Sequence, residues 1–590
     1  MIPAIVFLAA CFLAGLAFFG REKNNPIWAI LGGSAIGVSV LGVLAWFLGI
    51  NEASVVLAAA ILLGVFFWRH RGKAVRLDVE KPVAAIFILG LLLFFLAAVA
   101  LFRIEDVPRG VRIDFGFHQS IATSMANGNF PPEHPLFAGE PLRYYFLPHL
   151  FSAALMVGGL DVQWATWIPF AFWNAALAAA VFLLARKIAG SKSVAALAVL
   201  LFFLNGTFAF VPYLQTHDVL GNVGAFLQDP GFLSDYRESG FPFENNLVAQ
   251  SFFTRSFPLG FGLLVLLLYG LLQGGDMKKT GALAGLLPMI HLPSFGLWVL
   301  FAATYAVLFD RRRQWLAHFG IMAVLAAPAL VLLLAGTGAS GIRLQWGWLA
   351  PDASPIGWVL FWAGNIGLFV AACAYGLRSA KTPLVKLLVA AVPAFLIGNV
   401  IQIAPYAWDN IKLFILFFLL LAVGAAMGLA KLWKKGVPAK TAVVALVALM
   451  TFTGVLHAAS IISHRSDALY PANDWEACQW LDKSVPKGAR LLTDGTHTCA
   501  SALYGRRVVV GPLEWLEHHG LDYRQRLKDN DAMLQGDCPL LGKYGVEYFY
   551  DGGFLGRGAA LNRTFWQTQP EVYEKQGVAV YRLACSAVLP

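Results

Sequence analysis

YFLPHLFSAALMVGGL, residues 145–160, decides how this chain is threaded. A hydropathy plot would draw it as a membrane span. It has 16 residues, with a proline and a histidine near its start. As a helix that is about 24 Å, short of a hydrocarbon core of about 30 Å. The basic connections give a second argument. RHRGKAVR (69–76), RKIAGSK (186–192), MKK (277–279), RRR (311–313), RSAKTPLVK (378–386) and KLWKKGVPAK (431–440) separate apolar runs. All six fall on one side, the cytoplasmic side by the lysine and arginine bias of membrane proteins, only if 145–160 does not cross. The stretch is therefore expected to lie as a helix in the external interface.

Composition sets the class around it. Of 590 residues 58% are hydrophobic and 13% charged, too little charge to cover a soluble surface. The net charge of +10 resides in the short basic loops, so topology accounts for it and a nucleic-acid partner is not implied. Hydropathy marks about fourteen candidate spans: 2–20, 27–49, 55–68, 83–102, 165–185, 193–212, 257–274, 281–290, 294–309, 315–337, 358–377, 387–404, 411–430 and 441–460. From about Ser463 the chain turns polar, and a helical start (DWEACQWLDKSV) precedes β-like runs ARLLTD, RRVVVG, VEYFYD and VAVYRL. The expected fold is a polytopic all-α membrane protein with external interfacial helices and a small C-terminal extracytoplasmic α/β domain. Its expected parts are N-terminal transmembrane helices (1–102), an external loop (103–164), a transmembrane core (165–460) and the α/β domain (461–590). Four of the six cysteines, Cys478, Cys499, Cys538 and Cys585, fall in that last part. Outside the cytoplasm they form one or two disulfides, with three full pairings open, or stay free thiols. Cys11 and Cys373 read as small core residues.

The external loop is a polar island, RIDFGFHQSIATSMANGNFPPEHPLFAGEPLRYYFLPH (112–149). Ile113, Phe117, Ile121 and Met125 form one apolar stripe of a helix that ends near Asn127-Gly128, predicted to lie on the membrane surface. Asp114 and His118 share an adjacent face one turn apart. FPPEHP and AGEP, which carries Glu140, break the helix, and LRYYFLPH brings Arg143, Tyr144, Tyr145 and His149 to the head of the next one. Two short helices joined by a Pro-rich turn bring Asp114 and His118 near Arg143 and His149. An acid, a cation, imidazoles and phenols over a lipid-facing floor suit a substrate with a phosphate, hydroxyls and a long tail. The bland alternatives are an N-capping Asp114 and an interfacial belt.

Elsewhere, YAWDNIKLF (406–414) places Asp409 and Lys412 at the bilayer edge, where charge is costly unless paired or used. Lys412 reads as a phosphate ligand and Asp409 as its partner or an acceptor for sugar hydroxyls. The alternative is a snorkelling lysine beside a capping aspartate. Arg255 precedes a span as a further ligand or an interface anchor. His291, in MIHLPSF, is either an intramembrane functional group or the structural turn of a helical hairpin. RLQWGW (343–348) adds an external arginine beside tryptophan faces. GRRVVVGPLEWLEHHG (505–520) ends in Glu517, His518 and His519, without metal-ligand spacing, and suits a loop that caps the site. No P-loop, GxSxG, HExxH or CxxC pattern appears.

The acid in the first large external loop followed by PPEHP, AGEPL and YYFLPH resembles the C superfamily of membrane glycosyltransferases. Within it, the pattern is most similar to bacterial and archaeal membrane proteins named for a Tyr-Tyr-Tyr motif; here Arg143-Tyr144-Tyr145-Phe146 is one tyrosine short. The acidic loop follows the fourth span rather than the first, so three N-terminal spans are an addition. The resemblance implies that Asp114 is the base for an acceptor hydroxyl. It also implies inverting transfer of a sugar from a polyprenyl-phosphate-type donor to a glycan, lipid or protein acceptor, with membrane lipids around it. His118, Glu140, Arg143, Tyr144, Tyr145, His149, Arg255, Asp409 and Lys412 would bind substrate. A cation near the departing phosphate suits this chemistry, arginine as a bidentate fork. No cofactor is fixed. Some members of the superfamily use a divalent metal (Mg or Mn) held by loop acids, but Asp218, Asp229, Asp235, Glu238 and Glu244 lack any tight ligand spacing. The implied location is the cytoplasmic (inner) membrane, with the site on the extracytoplasmic or periplasmic side. The alternatives are a glycan ligase or polymerase using a lipid-diphosphate donor, and a lipid or solute transporter or flippase. Transport calls for ionisable groups inside the spans, where this sequence has almost none.

Overall fold

In the computed structural model the described residues are 1–71, 76–102, 113–216, 221, 240–335, 342–378, 383–463, 470–553 and 557–585. Among them, eleven helices are long and apolar enough to cross a membrane, and three more apolar helices are shorter. The first four are α1 (Ile2–Phe19), α2 (Asn25–Leu48), α3 (Glu52–His70) and α4 (Lys81–Leu101). Two short helices of the island follow, α5 (Ile113–Ala126) and α6 (Leu147–Val157). The bundle continues with α7 (Val162–Ala189), α8 (Lys192–Phe203) and a short α9 (Phe210–Thr216). Then come a π-helix at Leu247–Phe252, α10 (Ser256–Gln273), α11 (Met277–Leu308) and α12 (Gln314–Leu334). The last four are α13 (Pro355–Leu377), α14 (Leu384–Val400), α15 (Ile411–Trp433) and α16 (Val437–Ser463).

Four of the expected spans come out differently. The run 387–404 ends as helix at Val400, and α14 has only 17 residues. The run 193–212 stops as helix at Phe203, where the chain turns inward so that the Gly206 N–H donates to the Met450 carbonyl of α16 at 2.7 Å. The runs 281–290 and 294–309 are the two arms of α11, which is broken at His291 (φ −161°, ψ 93°). Thr280 on one arm and Trp298 on the other both hydrogen-bond His318 of α12, at 3.1 and 3.0 Å. In a straight helix those two positions would stand about 27 Å apart. The chain therefore doubles back, and His291, bonded to the Ser294 hydroxyl at 2.7 Å, is the turn of a helical hairpin.

The basic connections share one face. Arg186 pairs with Glu80, Lys187 donates to Gln273 at 3.3 Å, Lys279 reaches Glu22 at 3.9 Å, and Lys386 lies over the Phe309 ring at 5.9 Å. The island lies at the opposite end. At 11 residues α6 is too short to cross. It is not a lipid-facing surface helix, however, because Leu147–Leu155 are buried throughout. The added N-terminal helices cover it: Phe151 meets Phe7 with ring centroids 5.5 Å apart, and the Ala4 N–H donates to the Gly158 carbonyl at 3.3 Å. Those helices pack backbone to backbone, since a Cβ on Gly33 of α2 would lie 2.2 Å from the Cys11 carbonyl oxygen of α1. The stripe on α5 likewise faces protein rather than lipid. Phe117, Ile121 and Met125 are buried, and the Phe117 ring stacks on Trp515 at 4.6 Å.

A two-stranded ladder, β1 (Arg343–Leu344) antiparallel to β2 (Ile401–Gln402), is separate from the C-terminal domain, to which Trp515 belongs and whose five-stranded mixed sheet has the order β4-β3-β5-β7-β6. Its strands are β3 (Arg490–Leu492), β4 (Arg507–Val508), β5 (Val546–Asp551), β6 (Glu571–Lys575) and β7 (Val578–Arg582). The pairs β3–β4 and β3–β5 are parallel, and β7 is antiparallel to both β5 and β6. The sequence reading missed only β6, whose charged EVYEK run lacks an apolar alternation. Disulfides join Cys478 to Cys499 and Cys538 to Cys585, one of the three pairings that were open. The island extends the free edge of this sheet: Val508 N–H donates to the Pro135 carbonyl, Ala138 N–H to Val508, and Gly511 N–H to Leu136, at 2.9, 3.0 and 2.8 Å.

Candidate active site

A cavity of about 250 Å³ opens where the island meets three stretches distant from it in sequence. The first turn of α5 brings Asp114, Phe117 and His118, and the head of α6 brings Tyr144 and Tyr145. The segment before α10 adds Phe253 and Thr254, and the entry to α15 adds Tyr406, Trp408, Asp409 and Lys412. The fourth wall comes from the C-terminal domain as Trp515, His518 and His519.

Each wall has a local cause. Residues 407–410 form one 3₁₀ turn that feeds α15, so Asp409 and Lys412 stand on one side three residues apart, with the Lys412 ammonium 2.7 Å from the carboxylate. Tyr144 stacks on Tyr145 at 4.0 Å and on His519 at 5.3 Å, and Tyr145 stands edge-on to His291 at 5.5 Å. The hairpin turn of α11 thus lies beneath the phenols. Burial first, then Tyr145, then the negative charges of Asp409 and Asp114 hold the Tyr144 hydroxyl well above its ordinary pKa, so it stays a donor.

Two imidazole pairs brace the walls. His118 shares a 2.9 Å hydrogen bond with His149, and His134 of the Pro-rich turn shares another of 2.9 Å with His519. All four are pushed below the ordinary histidine value by burial first, His149 and His519 to about 3. The native pairs are therefore neutral, while an unfolded chain takes up protons below about pH 6.5. Stability is complete above that pH and falls as pH drops toward 3, by up to about 1.4 kcal/mol per pH unit for each imidazole. The expected melting temperature of the detergent-solubilised protein is level above pH 7 and declines steadily from 6.5 to 5. A shallower decline is expected in His134→Gln, and equal slopes in the two proteins would remove this account.

The remaining anticipated residues lie outside the cavity. Glu140 pairs with Arg526 at 3.2 Å on the seam with the C-terminal domain, next to Glu133, which bonds Arg507 and Arg490 at 2.8 and 3.2 Å. His149 is fully buried behind His118. Arg255 sits beneath the floor, donating to the Gln119 amide oxygen and to Thr166 at 3.3 Å, with its guanidinium 5.5 Å from the Phe115 ring. Arg143 is half-buried and is not among the lining residues. Conversely, Trp515, His518, His519, Tyr406 and Thr254 line the cavity without having been singled out as ligands. The signal for them is the density of aromatic and imidazole side chains in APYAW and WLEHH.

A divalent metal finds no ready ligand set among the described residues. Among the described residues the only trio of acid, histidine or cysteine atoms close enough to share an ion is Asp474, Cys478 and Cys499. Its two sulfurs are bonded to each other at 2.06 Å and are not thiolates. In the cavity, Asp409 is engaged by Lys412. Asp218, Asp229, Asp235 and Glu238 lie outside the described residues, and Glu244 is buried away from the cavity lining.

No curated protein matches the sequence. Among solved structures, the crystal structure of the Archaeoglobus fulgidus oligosaccharyltransferase in the apo form is similar at 12% identity and a TM-score of 0.38. That match covers 79% of this chain and 69% of the other. The complex of the same oligosaccharyltransferase with Zn and sulfate gives 14% identity, a TM-score of 0.35, and coverage of 78% and 67%. Over residues 37–236, which hold Asp114 and the tyrosine pair, the chain matches the family described as "Uncharacterized membrane protein (DUF2298)".

Proposed function

We propose that this protein is an inverting membrane glycosyltransferase that moves a sugar from a polyprenyl-phosphate-type donor to an acceptor hydroxyl on the extracytoplasmic face. The observation that carries the reading is the content of the cavity. Two carboxylates, one ammonium and a ring of aromatic faces line one space at the end of the spans away from the basic loops. Aromatic faces pack on the C–H surface of a sugar, and carboxylates accept its hydroxyls. A lysine is a point charge for a phosphate. Asp114 takes the proton of the acceptor hydroxyl as that oxygen attacks the sugar carbon from the side opposite the phosphate. The bond to the phosphate breaks, and Lys412 stabilises the oxyanion that leaves, with Asp409 orienting its ammonium. Tyr144, Tyr145 and His118 hold the sugar, while His149 and Arg255 act from behind, as braces of His118 and of Gln119.

The donor test reads binding. Replacing Lys412 with Gln is expected to weaken retention of a polyprenyl-phosphate sugar by about ten- to a hundredfold, from roughly 1.5–3 kcal/mol for a charge-assisted phosphate contact. Arg143→Gln should change it much less, because Arg143 is not in the lining. Unchanged donor affinity in the Lys412 variant would move the phosphate elsewhere.

A further inference from the structure

A cleft of about 520 Å³ adjoins the candidate active site. One wall is the β1–β2 ladder and the turn after it, with Arg343, Gln402 and Pro405, and the other is the 517–524 loop of the C-terminal domain. The two cavities meet along a shared partition. Pro405 and Glu517 line the cleft, while the next residue in each stretch, Tyr406 and His518, lines the candidate active site. The Tyr406 and His518 rings meet edge to face with centroids 4.2 Å apart, so this pair stands between the two spaces.

Both walls are held by their own hydrogen bonds. The buried Gln402 side chain uses both of its ends. Its Oε1 accepts from the Arg343 Nε at 2.9 Å, and its Nε2 donates to the Ala404 and Pro405 carbonyls at 2.7 and 2.8 Å. Opposite, the Tyr523 hydroxyl donates to the Glu517 carboxylate at 2.5 Å, and the Leu521 N–H closes the loop onto the Leu516 carbonyl at 3.0 Å. A preformed cleft lowers the ordering cost of binding, and its volume falls in the range of about 300–1,000 Å³ usual for ligand sites. The lining then selects the ligand. Glu517 and Asp522 set two negative charges beside the two positive charges of Arg343 and Arg524, so a strongly charged ligand of either sign meets repulsion as well as attraction. A polyhydroxyl compound finds acceptors in the carboxylates and donors in the guanidinium groups. Leu521 and Pro405 give too little apolar wall for a lipid tail. A ladder of two residues per strand gives an extended peptide almost no edge to pair with.

We propose that this cleft holds the acceptor, and that the acceptor is a hydrophilic saccharide whose hydroxyl reaches Asp114 past Tyr406 and His518. The role as acceptor rests on the glycosyl-transfer reading above; the binding of a saccharide does not. The step is the one already written: the saccharide oxygen bonds to the donor's sugar carbon, its proton goes to Asp114, and the bond to the phosphate breaks. Donor and acceptor then enter from different sides of one ring pair, the donor from the membrane and the acceptor from the cleft.

The test uses the full chain in a sugar-free detergent, with maltotriose, mannotriose and chitotriose as probes and a Gly-Ser hexapeptide as the competing class. Binding is read by saturation-transfer NMR, and melting temperature checks that each variant is folded. At least one trisaccharide is expected to bind, and the peptide is not. Arg343→Gln and Glu517→Gln should each weaken that binding about tenfold, the scale of one hydrogen bond to a charged group. Arg582→Gln, on β7 and outside the cleft, should leave it unchanged. Retention of a polyprenyl-phosphate sugar should stay at the wild-type level in all three variants, because none of these residues lines the candidate active site. Binding of no trisaccharide, equal binding of the peptide, or equal weakening in Arg582→Gln would each overturn the proposal. If the transfer reading alone is wrong, the lipid donor is not retained while trisaccharide binding and its loss in the cleft variants persist. If this inference alone is wrong, the donor is retained and no trisaccharide binds.

Discussion

Asp114→Asn is expected to abolish sugar transfer while leaving the protein folded and loaded with its lipid donor. Asp114 lies in the first turn of α5, where its charge also suits the helix dipole. If that were its whole role, asparagine would lose a fraction of a kcal/mol and turnover would barely move. An amide, however, cannot accept a proton at neutral pH, and general-base help is typically worth about 10²–10⁴ in rate. The two readings thus differ by at least a hundredfold in one measurable quantity. The measurement is turnover of a lipid-linked sugar by wild type and variant in the same membranes, with donor retention measured alongside. Equal turnover would make the island a structural belt. A loss of donor retention together with turnover would instead indicate a binding role.

The second large effect is expected at Gly505, far from any reacting group. Its φ of +63° is in the left-handed region, and a Cβ there would stand 2.4 Å from the carbonyl carbon and oxygen of Thr123 on α5. Both obstacles are helix backbone and cannot swing aside. Gly505→Val therefore strains its own conformation by about 1–2 kcal/mol and also forces the C-terminal domain off α5. With the domain go Trp515, His518 and His519, a whole wall of the cavity. Turnover should fall at least about tenfold, the scale of one lost well-formed contact. Hydrogen exchange should accelerate at the Ala138, Val508 and Gly511 amides, which bridge the seam. Gly488→Val, at a position with nothing within 4 Å, is the control. Unaltered exchange in the Gly505 variant would show that the seam does not depend on that approach.

Much of this was open to a reader of the sequence because it is encoded locally. Short basic loops mark one face of the bundle by their own composition, which is why 145–160 could be refused a crossing. The turn at His291 is written in a proline beside a histidine between two half-length apolar runs. What local pattern does not carry is the partner of a face. The residues of α5 beside the stripe, Gln119, Thr123 and Ser124, read as surface, yet they are buried and bonded to Arg255, the Ala502 carbonyl and Asn129. Arg255 reads as a substrate ligand or an interface anchor because its partners are 89 and 136 positions away. Glu140 reads as a site acid because Arg526 belongs to a domain made much later in the chain. Each of these differences has the same source, a charged or polar group whose counterpart lies far along the sequence.

The seam between the island and the C-terminal domain also sets an order of events during synthesis. His134 and His519 are separated by 385 positions, so the island is made and inserted long before the wall that completes its cavity. Loop closure over such a span waits for every intervening helix. Until the last domain has folded and docked, the nascent chain holds Asp114 in a pocket open on one side. A chain released early, or one whose final domain fails to fold, would therefore carry a cavity that lacks the wall of Trp515, His518 and His519.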